Sequence, residues 1–220
     1  MKREDIKIAP SVLSADFTRM GEEVLSVVKA GADMIHCDVM DGVFVPNITF
    51  GIKMVADINK MTDLPLDVHL MIVHPEKYIA RFVEAGADNL LVHYEACKDD
   101  LLSVLKLIKE HGATAGCVIN PDTDPEKIKD VLPLCDMIVV MSVYPGFGGQ
   151  KFMPCAIEKI KTVKNMAKEI GKDVVVEVDG GVNFDNCADI KAAGATVLVA
   201  GNTVFKSEDR TLAIRTLRER

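Results

Sequence analysis

The sequence predicts a single-domain (β/α)8 barrel, the TIM-barrel fold, in which eight parallel strands are covered by helices. Three observations lead to this class: eight short apolar segments, amphipathic helical stretches between them, and a glycine-containing repeat of about 27 residues. Strands that are apolar on both faces and alternate with helices form a buried parallel sheet, and eight such units favour closure into a barrel. An open doubly wound sheet is the alternative for the same alternation.

The predicted strands are short and almost continuously apolar, as expected for strands buried on both faces. In chain order they are IKIAP at 6–10, MIHCDV at 34–39, LPLDVHLM at 64–71, NLLVHY at 89–94, TAGCVIN at 114–120, MIVVMSV at 137–143, VVVEVD at 174–179 and TVLVAG at 196–201. A parallel arrangement requires a crossover between each strand and the next, and the intervening segments are long enough to supply one.

The repeat marks the points where helices end and strands begin. The segments AGADMIHCD, AGADNLLVH and AGATVLVAG begin at residues 30, 85 and 193. A glycine at the end of a helix can take the positive φ that a helix C-terminus favours. We expect this role for Gly31, Gly86, Gly112 and Gly194. The helix before the first of these glycines is predicted by one apolar stripe, formed by Met20, Val24, Val27 and Val28.

Composition limits the class of protein and its partners. The chain has 220 residues, of which 49% are hydrophobic and 27% charged, so we expect one compact domain over residues 1–220. The formal charge of −7 argues against nucleic acid or an anionic membrane as the main partner. The segment MKREDIKIAPSV carries no apolar targeting region, so a cytoplasmic location is expected. The six cysteines occur singly, which suggests neither a zinc ribbon nor a disulfide scaffold.

Ionisable side chains gather at the carboxyl ends of three predicted strands. Alternate residues of a strand share a face, so the two polar residues of each strand point the same way. They are His36 and Asp38 on the second strand, Asp67 and His69 on the third, and Glu177 and Asp179 on the seventh. Barrel enzymes place their chemistry at this rim, so these groups are expected to converge there.

Two imidazoles and two carboxylates directed at one volume match the ligand set of a divalent metal ion such as Zn²⁺, Fe²⁺, Mn²⁺ or Co²⁺. The expected ligands are His36, Asp38, His69 and Asp179. A hydrogen-bonded cluster without a metal is the alternative. Glu177 and Asp67 are left open between buried network members and partners that orient a ligand histidine. His93, at the end of the fourth strand, is left open between lining the site and a structural role.

Glycines gather at the last three strand ends. They lie in Pro145-Gly146-Phe147-Gly148-Gly149, in Gly180-Gly181 and in Gly201-Asn202. Glycine lets backbone N–H groups converge on an anion, and barrels commonly bind phosphate with the loops after strands seven and eight. Ordinary tight turns are the alternative. The sequence therefore predicts a site with a metal end and a phosphate end.

These motifs resemble the ribulose-phosphate 3-epimerase family over nearly the full length of the chain. The resemblance is carried by IAPSVLSADF, HCDVMDGVFVPN, LDVHLM, VHYEA, INPDT, MSVYPGFGGQKF, EVDGG and AGNTVF. It implies one divalent metal ion per subunit, bound by His36, Asp38, His69 and Asp179. It further implies substrate contacts from Ser11, His69, Gly146, Phe147, Gly148, Gly149, Gly180, Gly181, Gly201 and Asn202, with Met40, Met71 and Met141 against the reacting carbons.

The resemblance implies a metal-dependent epimerase of the pentose phosphate pathway that interconverts D-ribulose 5-phosphate and D-xylulose 5-phosphate at C3 through an enediolate. Asp38 and Asp179 would move the protons, with Asp38 as the first base and Asp179 as the acid. A homo-oligomer, either a dimer or a hexamer, is expected. The expected partner is a small sugar phosphate, and neither nucleic acid nor a membrane is expected.

Two residues depart from the pattern of the family. Tyr144 stands where asparagine is usual, and Asn202 stands where serine is usual. Tyr144 therefore leaves another ketose phosphate, such as allulose 6-phosphate, as an alternative substrate. A metal-dependent hydrolase on the same barrel is a more distant alternative, although the His-x-His that such enzymes commonly carry on the first strand is not found here.

Overall fold

A computed structural model of the chain describes residues 5–220, and within that range eight strands pair in parallel to form the predicted (β/α)8 barrel. The strands are β1 (Lys7–Ala9), β2 (Ile35–Met40), β3 (Leu66–Met71), β4 (Asn89–His93), β5 (Thr114–Ile119), β6 (Met137–Met141), β7 (Val175–Asp179) and β8 (Val197–Val199). Each lies within one residue of a predicted apolar segment or inside it. The first four residues of the expected domain lie outside the described range.

Helices cover the outer face of the barrel. In the described part of the chain they are α1 (Met20–Lys29), α2 (Ile52–Asn59), α3 (Ile79–Glu84), α4 (Tyr94–Cys97), α5 (Leu101–Glu110), α6 (Cys155–Glu169), α7 (Cys187–Ala193), α8 (Asn202–Phe205) and α9 (Arg210–Glu219). The longest has 15 residues. Across residues 5–220, no helix combines the length and the apolar character that crossing a membrane requires.

The strand order is β1-β8-β7-β6-β5-β4-β3-β2, so β1 and β2 are the two ends of the sheet. These ends meet just beyond β1, where Ser11 forms an isolated parallel bridge with His36. The backbone N–H of His36 donates to the carbonyl of Pro10 over 3.1 Å. This contact closes the barrel at the point where β2 carries its ionisable side chains.

The local signals in the sequence correspond to the observed helix ends. Gly31, Gly86, Gly112 and Gly194 all have positive φ, between 88° and 115°. On α1, Met20, Val24 and Val27 are buried. Val28, the fourth residue of the predicted apolar stripe, is partly buried, and the stripe packs against the main core.

One connection differs from the alternation of helix and strand. Between β5 and β6 the chain forms two 3₁₀ helices, Pro125–Ile128 and Leu132–Leu134, where the repeat leads one to expect an α-helix. Pro133 lies inside the second of these turns. Proline has no N–H to donate and crowds the preceding turn, so a continuous α-helix through this segment is disfavoured.

Among residues 5–220, two large apolar cores hold the barrel together, and a third, small cluster contains Met40, Val45 and Met71. The larger lies between the sheet and the helices, and the smaller fills the barrel interior with ten residues that include Leu91, Val118 and Met137. Gly116 on β5 leaves space for the inward-pointing Leu91, because a Cβ at residue 116 would lie 2.2 Å from a Leu91 methyl group. The interior is therefore packed and apolar below the ionisable cluster.

Helix α5 permits a direct test of the outer core. Leu105 is 0% exposed and Leu102 is 43% exposed on the same helix. We expect Leu105→Ala to lower the free energy of unfolding by about 2–5 kcal/mol, because the substitution leaves a cavity against the sheet. Leu102→Ala, the matched control, should change it by about 0.5 kcal/mol or less. Urea denaturation of both variants measures the difference, and equal losses would contradict this description of the core.

Candidate active site

Strand register brings the predicted ligands together. In the pairing of β2 with β3, His36 lies beside Asp67 and Asp38 lies beside His69. These four residues are buried, with exposures between 0% and 4%. Asp179 comes from β7, which is separated from β2 by β8 and β1 in the sheet. Closure of the barrel therefore carries Asp179 to the cluster that β2 and β3 form.

Each of His36, Asp38, His69 and Asp179 places one potential ligand atom within 4.8 Å of those of the other three. Nε2 of His36 lies 3.4 Å from Oδ1 of Asp38 and 3.8 Å from Oδ2 of Asp179. Nδ1 of His69 lies 3.4 Å and 3.5 Å from the same two oxygen atoms. Two imidazole nitrogens and two carboxylate oxygens thus point into one small volume.

The two inward nitrogens, Nε2 of His36 and Nδ1 of His69, are buried and form no hydrogen bond with protein atoms. Buried polar atoms ordinarily have partners, because leaving one unsatisfied costs about 1–3 kcal/mol. A divalent cation among these atoms would satisfy both nitrogens and both oxygens at once. The donor set that the structure brings together therefore fits a metal ion, and the ion would be held by the residues that the sequence predicts.

The outer nitrogen of His36 has its own partner. Nδ1 donates to Oδ2 of Asp67 over 2.6 Å, and Oδ1 of Asp67 accepts from the amide of Asn89 over 3.0 Å. This arrangement fixes the tautomer that leaves an electron pair on the inward Nε2. The sequence left the role of Asp67 open. In the structure it orients His36 from the side opposite the cluster.

The cluster carries an excess of negative charge. Burial alone lowers the pKa of His36, but the negative charges of Asp38 and Asp67 and the hydrogen bond to Asp67 raise it well above the usual value. The pKa of Asp38 is lowered despite its burial, because the nearby imidazoles of His36 and His69 favour its ionised form. Burial and the charge of Asp67 raise the pKa of Glu177 far above its usual range. Positive charge is strongly favoured here, as is the protonated form of Glu177.

A second buried path leads outward from His69. Nε2 of His69 lies 2.8 Å from Nε2 of His93, and the two rings stack with centroids 5.0 Å apart. Nδ1 of His93 lies 3.0 Å from Oε2 of Glu95. Burial lowers the pKa of His93 to about 4, so this ring is neutral near pH 7. The sequence left His93 open between two roles, and the structure places it behind His69 and away from the cavity wall.

A cavity of about 190 Å³ opens above the cluster at the carboxyl end of the barrel. Its wall contains most of the predicted site residues: Ser11, Asp38, Met40, Met71, Met141, Gly146, Phe147, Gly148, Gly149, Asp179, Gly180, Gly181, Gly201 and Asn202. His36 and His69 lie beneath this wall and are 0% exposed. The prediction that His69 also contacts substrate therefore has no support from its position.

The hydroxyl of Ser11 does more than line the cavity. It donates to Oδ2 of Asp38 over 2.5 Å. The other carboxylate oxygen of Asp38 faces the cluster, so both of its oxygens have defined surroundings. A donor on Oδ2 stabilises the ionised carboxylate. The sequence suggested only a substrate contact for Ser11, because it gave no sign that β1 and β2 meet at this point.

The glycine-rich end of the cavity lacks basic side chains: among residues 5–220, the cavity wall includes no lysine or arginine. An anion bound here would be held by backbone N–H groups and neutral polar side chains. Gly181 has φ of +64°, and a Cβ at this residue would lie 2.5 Å from the backbone nitrogen of Phe152. The close approach of these two loops therefore requires glycine at this position.

The two departures from the family pattern have different surroundings. Tyr144 is outside the cavity wall as described and half exposed, and its carbonyl accepts from the side chain of Gln150 over 2.7 Å. Its ring thus gives no support for a different ketose. Asn202 does line the cavity, and its amide nitrogen lies 2.6 Å from the position that a Cβ of Gly149 would occupy. Asn202 therefore packs directly against the glycine-rich segment.

The loop after β2 is held at both ends by hydrogen bonds. Asp41 accepts hydrogen bonds from the backbone N–H groups of Val43 and Phe44, and its second oxygen accepts from that of Val73. Further along, the side chain of Asn47 donates to the carbonyl of Gly146 over 2.8 Å. These contacts join the loops that follow three different strands, and sequence periodicity cannot predict them because they lie outside helices and strands.

Comparison with known proteins agrees with this geometry. The model of the ribulose-phosphate 3 epimerase family matches residues 7–205. A ribulose-phosphate 3-epimerase of Bacillus subtilis is 53% identical over 214 residues, covering 97% of this chain and 98% of the relative. One from Synechocystis is 49% identical, covering 98% and 94%. A chloroplastic ribulose-5-phosphate-3-epimerase of Arabidopsis thaliana is 47% identical, covering 97% and 76%.

Similar solved structures are far more distant in sequence. KGPDC from Streptococcus mutans superposes with a TM-score of 0.75 at 12% identity, covering 97% of this chain and 96% of that one. The tryptophan synthase A-subunit of Pyrococcus furiosus gives a TM-score of 0.71 at 14% identity, covering 100% and 98%. At these identities the likeness shows the barrel fold alone.

The charge of the cluster predicts how metal affinity depends on pH. The pKa values of His36 and His69 are raised, because the effects of neighbouring carboxylates outweigh burial. The protonated fraction of both rings therefore rises as pH falls, and a cation must displace these protons. We expect the apparent affinity for Zn²⁺ to weaken by up to about tenfold per pH unit for each proton displaced.

Competition with a chelator between about pH 6 and about pH 8 measures this slope. His36→Gln should weaken Zn²⁺ binding and flatten the slope. His111→Gln is the control, since His111 is exposed just after α5 and its ring contacts only the carbonyl of Leu107 among the contacts described. A pH-independent affinity in the unaltered protein would contradict the proposed competition.

Proposed function

The chain belongs to the ribulose-phosphate 3-epimerase family, and we propose that it interconverts D-ribulose 5-phosphate and D-xylulose 5-phosphate with one divalent metal ion per subunit. As a member of this family it is an epimerase, and hence an isomerase. The proposal extends this activity to the particular sugar phosphates, the metal requirement and the acid–base mechanism. The relatives' names, the donor set and the shape of the cavity support it.

One observation carries the mechanism: Asp38 and Asp179 reach the same cavity from strands that lie far apart around the barrel. Each places one oxygen within 3.5 Å of Nδ1 of His69, and both line the cavity wall. Inverting a carbon next to a carbonyl requires removal of a proton from one face and its return on the other. Two carboxylates that approach a flat intermediate from different directions can perform both transfers.

Asp38 is assigned as the first base and Asp179 as the acid. Ser11 donates to Asp38, and the neighbouring imidazoles lower the pKa of that carboxyl group, so Asp38 is ionised near pH 7. It removes the proton from C3 of one epimer, which leaves an enediolate. Asp179, whose side chain is 15% exposed against 5% for Asp38, returns a proton to the other face. In the reverse direction the two roles exchange.

General acid–base catalysis contributes typically about 10²–10⁴-fold per group, or roughly 3–5 kcal/mol. A C–H bond beside a carbonyl is only weakly acidic, so further stabilisation of the enediolate is needed. A divalent cation held by His36, Asp38, His69 and Asp179 would act as a Lewis acid and stabilise the negative oxygen. Zn²⁺, Fe²⁺, Mn²⁺ and Co²⁺ all suit this mixture of imidazole and carboxylate.

Other parts of the cavity prepare the substrate for this chemistry. Met40, Met71 and Met141 line it and are 1–4% exposed, so they exclude water around the reacting carbons. Electrostatic interactions are stronger in such surroundings than in water. The glycine-rich loops after β6, β7 and β8 would hold the phosphate group through backbone N–H groups, which fixes the sugar with its C3 toward the carboxylates.

We also propose a homo-oligomer, a dimer or a hexamer, that acts in the cytoplasm within the pentose phosphate pathway. Val43 and Ile48 on the loop after β2 are 72% and 75% exposed, which supports burial of this loop between subunits. The relatives of Bacillus subtilis and Synechocystis are bacterial, in agreement with such a setting. Light scattering of the purified protein measures the subunit count.

Removal of either proposed proton carrier should abolish epimerisation. We expect Asp38→Asn and Asp179→Asn each to lower kcat by about 100-fold or more on ribulose 5-phosphate, while the sugar phosphate still binds. Asp189→Asn, on the exposed surface of α7, is the matched control and should leave kcat unchanged. Full activity in the Asp38 variant would refute its assignment as a base.

Deuterium exchange separates the two roles. In D₂O, each variant should still exchange the C3 hydrogen of the one epimer whose proton the remaining aspartate removes, without converting it to the other epimer. The two variants should therefore exchange opposite epimers. Exchange of both sugars by one variant would indicate a single base.

Measuring kcat/KM for ribulose 5-phosphate against allulose 6-phosphate in the unaltered enzyme decides between the two substrates.

The phosphate end is tested by a pair of glycines with similar backbone conformation. Gly181 has φ of +64° and Gly171 has φ of +66°, but only Gly181 is crowded, whereas a Cβ at Gly171 would meet nothing within 4 Å. We expect Gly181→Ala to raise KM about tenfold or more, because the loops must separate and lose contacts worth about 1.4 kcal/mol or more. Gly171→Ala should lower stability by about 1 kcal/mol while KM is unchanged. Equal KM values would contradict the placement of the phosphate.

A further inference from the structure

We propose that Glu95, acting through His93, is a positioning residue that fixes the tautomer of His69 and so presents an electron pair on its Nδ1 to the metal ion. This inference rests on the metal ion of the proposed function. It concerns residues behind the cluster rather than the ligands themselves. The observation that carries it is a continuous line of buried and partly buried hydrogen bonds, which runs from the backbone after β5 through two imidazole rings to the centre of the cluster.

The outer end of this line is anchored firmly. Oε1 of Glu95 accepts from the backbone N–H of Asn120 over 2.8 Å and from the hydroxyl of Thr123. The side chain of Lys159 in turn donates to the carbonyl of Thr123. Because an N–H of the backbone can only donate, Glu95 must present an acceptor on this side. Its other oxygen, Oε2, is thereby held 3.0 Å from Nδ1 of His93.

Only one arrangement of protons on the ring nitrogens of His93 and His69 is consistent with these hydrogen-bond partners. An ionised carboxylate can only accept, so Nδ1 of His93 carries the proton and donates it to Glu95. Nε2 of His93 is consequently an acceptor, and it lies 2.8 Å from Nε2 of His69. Nε2 of His69 must therefore be the donor. A neutral His69 with its proton on Nε2 has its remaining electron pair on Nδ1, the atom that faces Asp38 and Asp179.

The opposite order would place the proton of His69 on Nδ1 and remove the ligand electron pair. It would also leave an unprotonated Nδ1 of His93 facing an unprotonated oxygen of Glu95. The two rings have little freedom to escape this choice, since His93 is 0% exposed and packed between His69 and Phe44, with ring centroids 5.0 Å and 4.7 Å away. The carboxylate of Glu95 therefore determines which nitrogen of His69 carries the proton, although it acts only through His93.

Each ligand histidine thus has a carboxylate behind it, one hydrogen bond away for His36 and two hydrogen bonds away for His69. Asp67 accepts directly from the outer nitrogen of His36, whereas Glu95 acts on the outer nitrogen of His69 through one intervening imidazole. A carboxylate behind a metal-bound histidine orients the ring and makes it a stronger ligand, and its loss typically weakens metal binding by about 10–100-fold. We expect a loss of this size when the proton order behind His69 is reversed.

Glu95→Gln reverses that order while keeping the shape of the side chain. The amide oxygen must face the N–H of Asn120 and the hydroxyl of Thr123, so the amide NH₂ faces Nδ1 of His93. His93 then carries its proton on Nε2 and donates to His69. We expect Zn²⁺ affinity of the full-length protein, measured by chelator competition without substrate, to fall about 10–100-fold. Retained circular dichroism and an unchanged thermal midpoint of the metal-free variant establish that it is folded.

Glu76→Gln is the matched control, since Glu76 lies 3.3 Å from the exposed His74 on the same rim and has no contact with the cluster among those described. It should leave the affinity for Zn²⁺ within about twofold of the unaltered value. A folded Glu95→Gln variant with equally unchanged affinity overturns the proposal, because a carboxylate that selects the tautomer cannot be replaced by an amide without cost.

A second measurement does not depend on the variant. The ¹⁵N imidazole shifts of the unaltered zinc-bound protein should show the proton of His93 on Nδ1, and a proton on Nε2 overturns the proposal. Both readouts are independent of turnover. Absence of epimerisation in the unaltered protein would count against the proposed function alone, whereas unchanged zinc affinity in Glu95→Gln would count against the role of Glu95 alone.

Discussion

Four carboxyl groups lie within 3.8 Å of the imidazole of His36, which is fully buried beneath the cavity. So much negative charge in so little volume is stable only if positive charge or protons compensate it. The pKa values of Glu177 and His36 are both raised, and the inward nitrogens face two carboxylate oxygens. The choice of ligands, the proton carriers and their supporting residues all depend on this concentration of charge.

The charged cluster and the apolar cores that stabilise the fold occupy different parts of the barrel. Below the cluster the interior is apolar, and outside the sheet a second and larger core joins strands to helices. The ionisable groups therefore occupy only the upper layer of a packed interior. Because the strands that carry them are fixed on both faces, the groups have little freedom to move apart in response to their mutual repulsion.

The two ends of the cavity suit ligand groups of opposite charge. The carboxylate end attracts a cation and supplies the proton carriers, whereas the glycine-rich end suits an anion without the help of any lysine or arginine in the described wall. Backbone N–H groups suit this purpose in a chain with a formal charge of −7, because they bind an anion without adding a mobile charge near the carboxylates. A substrate with a phosphate at one end and a carbonyl at the other is oriented by both.

The sequence alone determined the elements and the faces on which the site residues lie. Apolar periodicity and glycine positions are local properties, so the strands, the end of α1 and the shared face of His36 and Asp38 follow from them. It also provided the residues that make up the donor set, by resemblance and by their placement at strand ends.

Only the tertiary structure decided how these residues meet. Closure between β1 and β2 placed Ser11 on Asp38, and cross-barrel packing brought in Asp179. Which ring nitrogen of each histidine faces the centre depends on hydrogen bonds to residues distant in sequence, such as Asp67 and Glu95. Such contacts arise from strand register and barrel closure rather than from local periodicity, and for that reason no pattern along the chain could specify them.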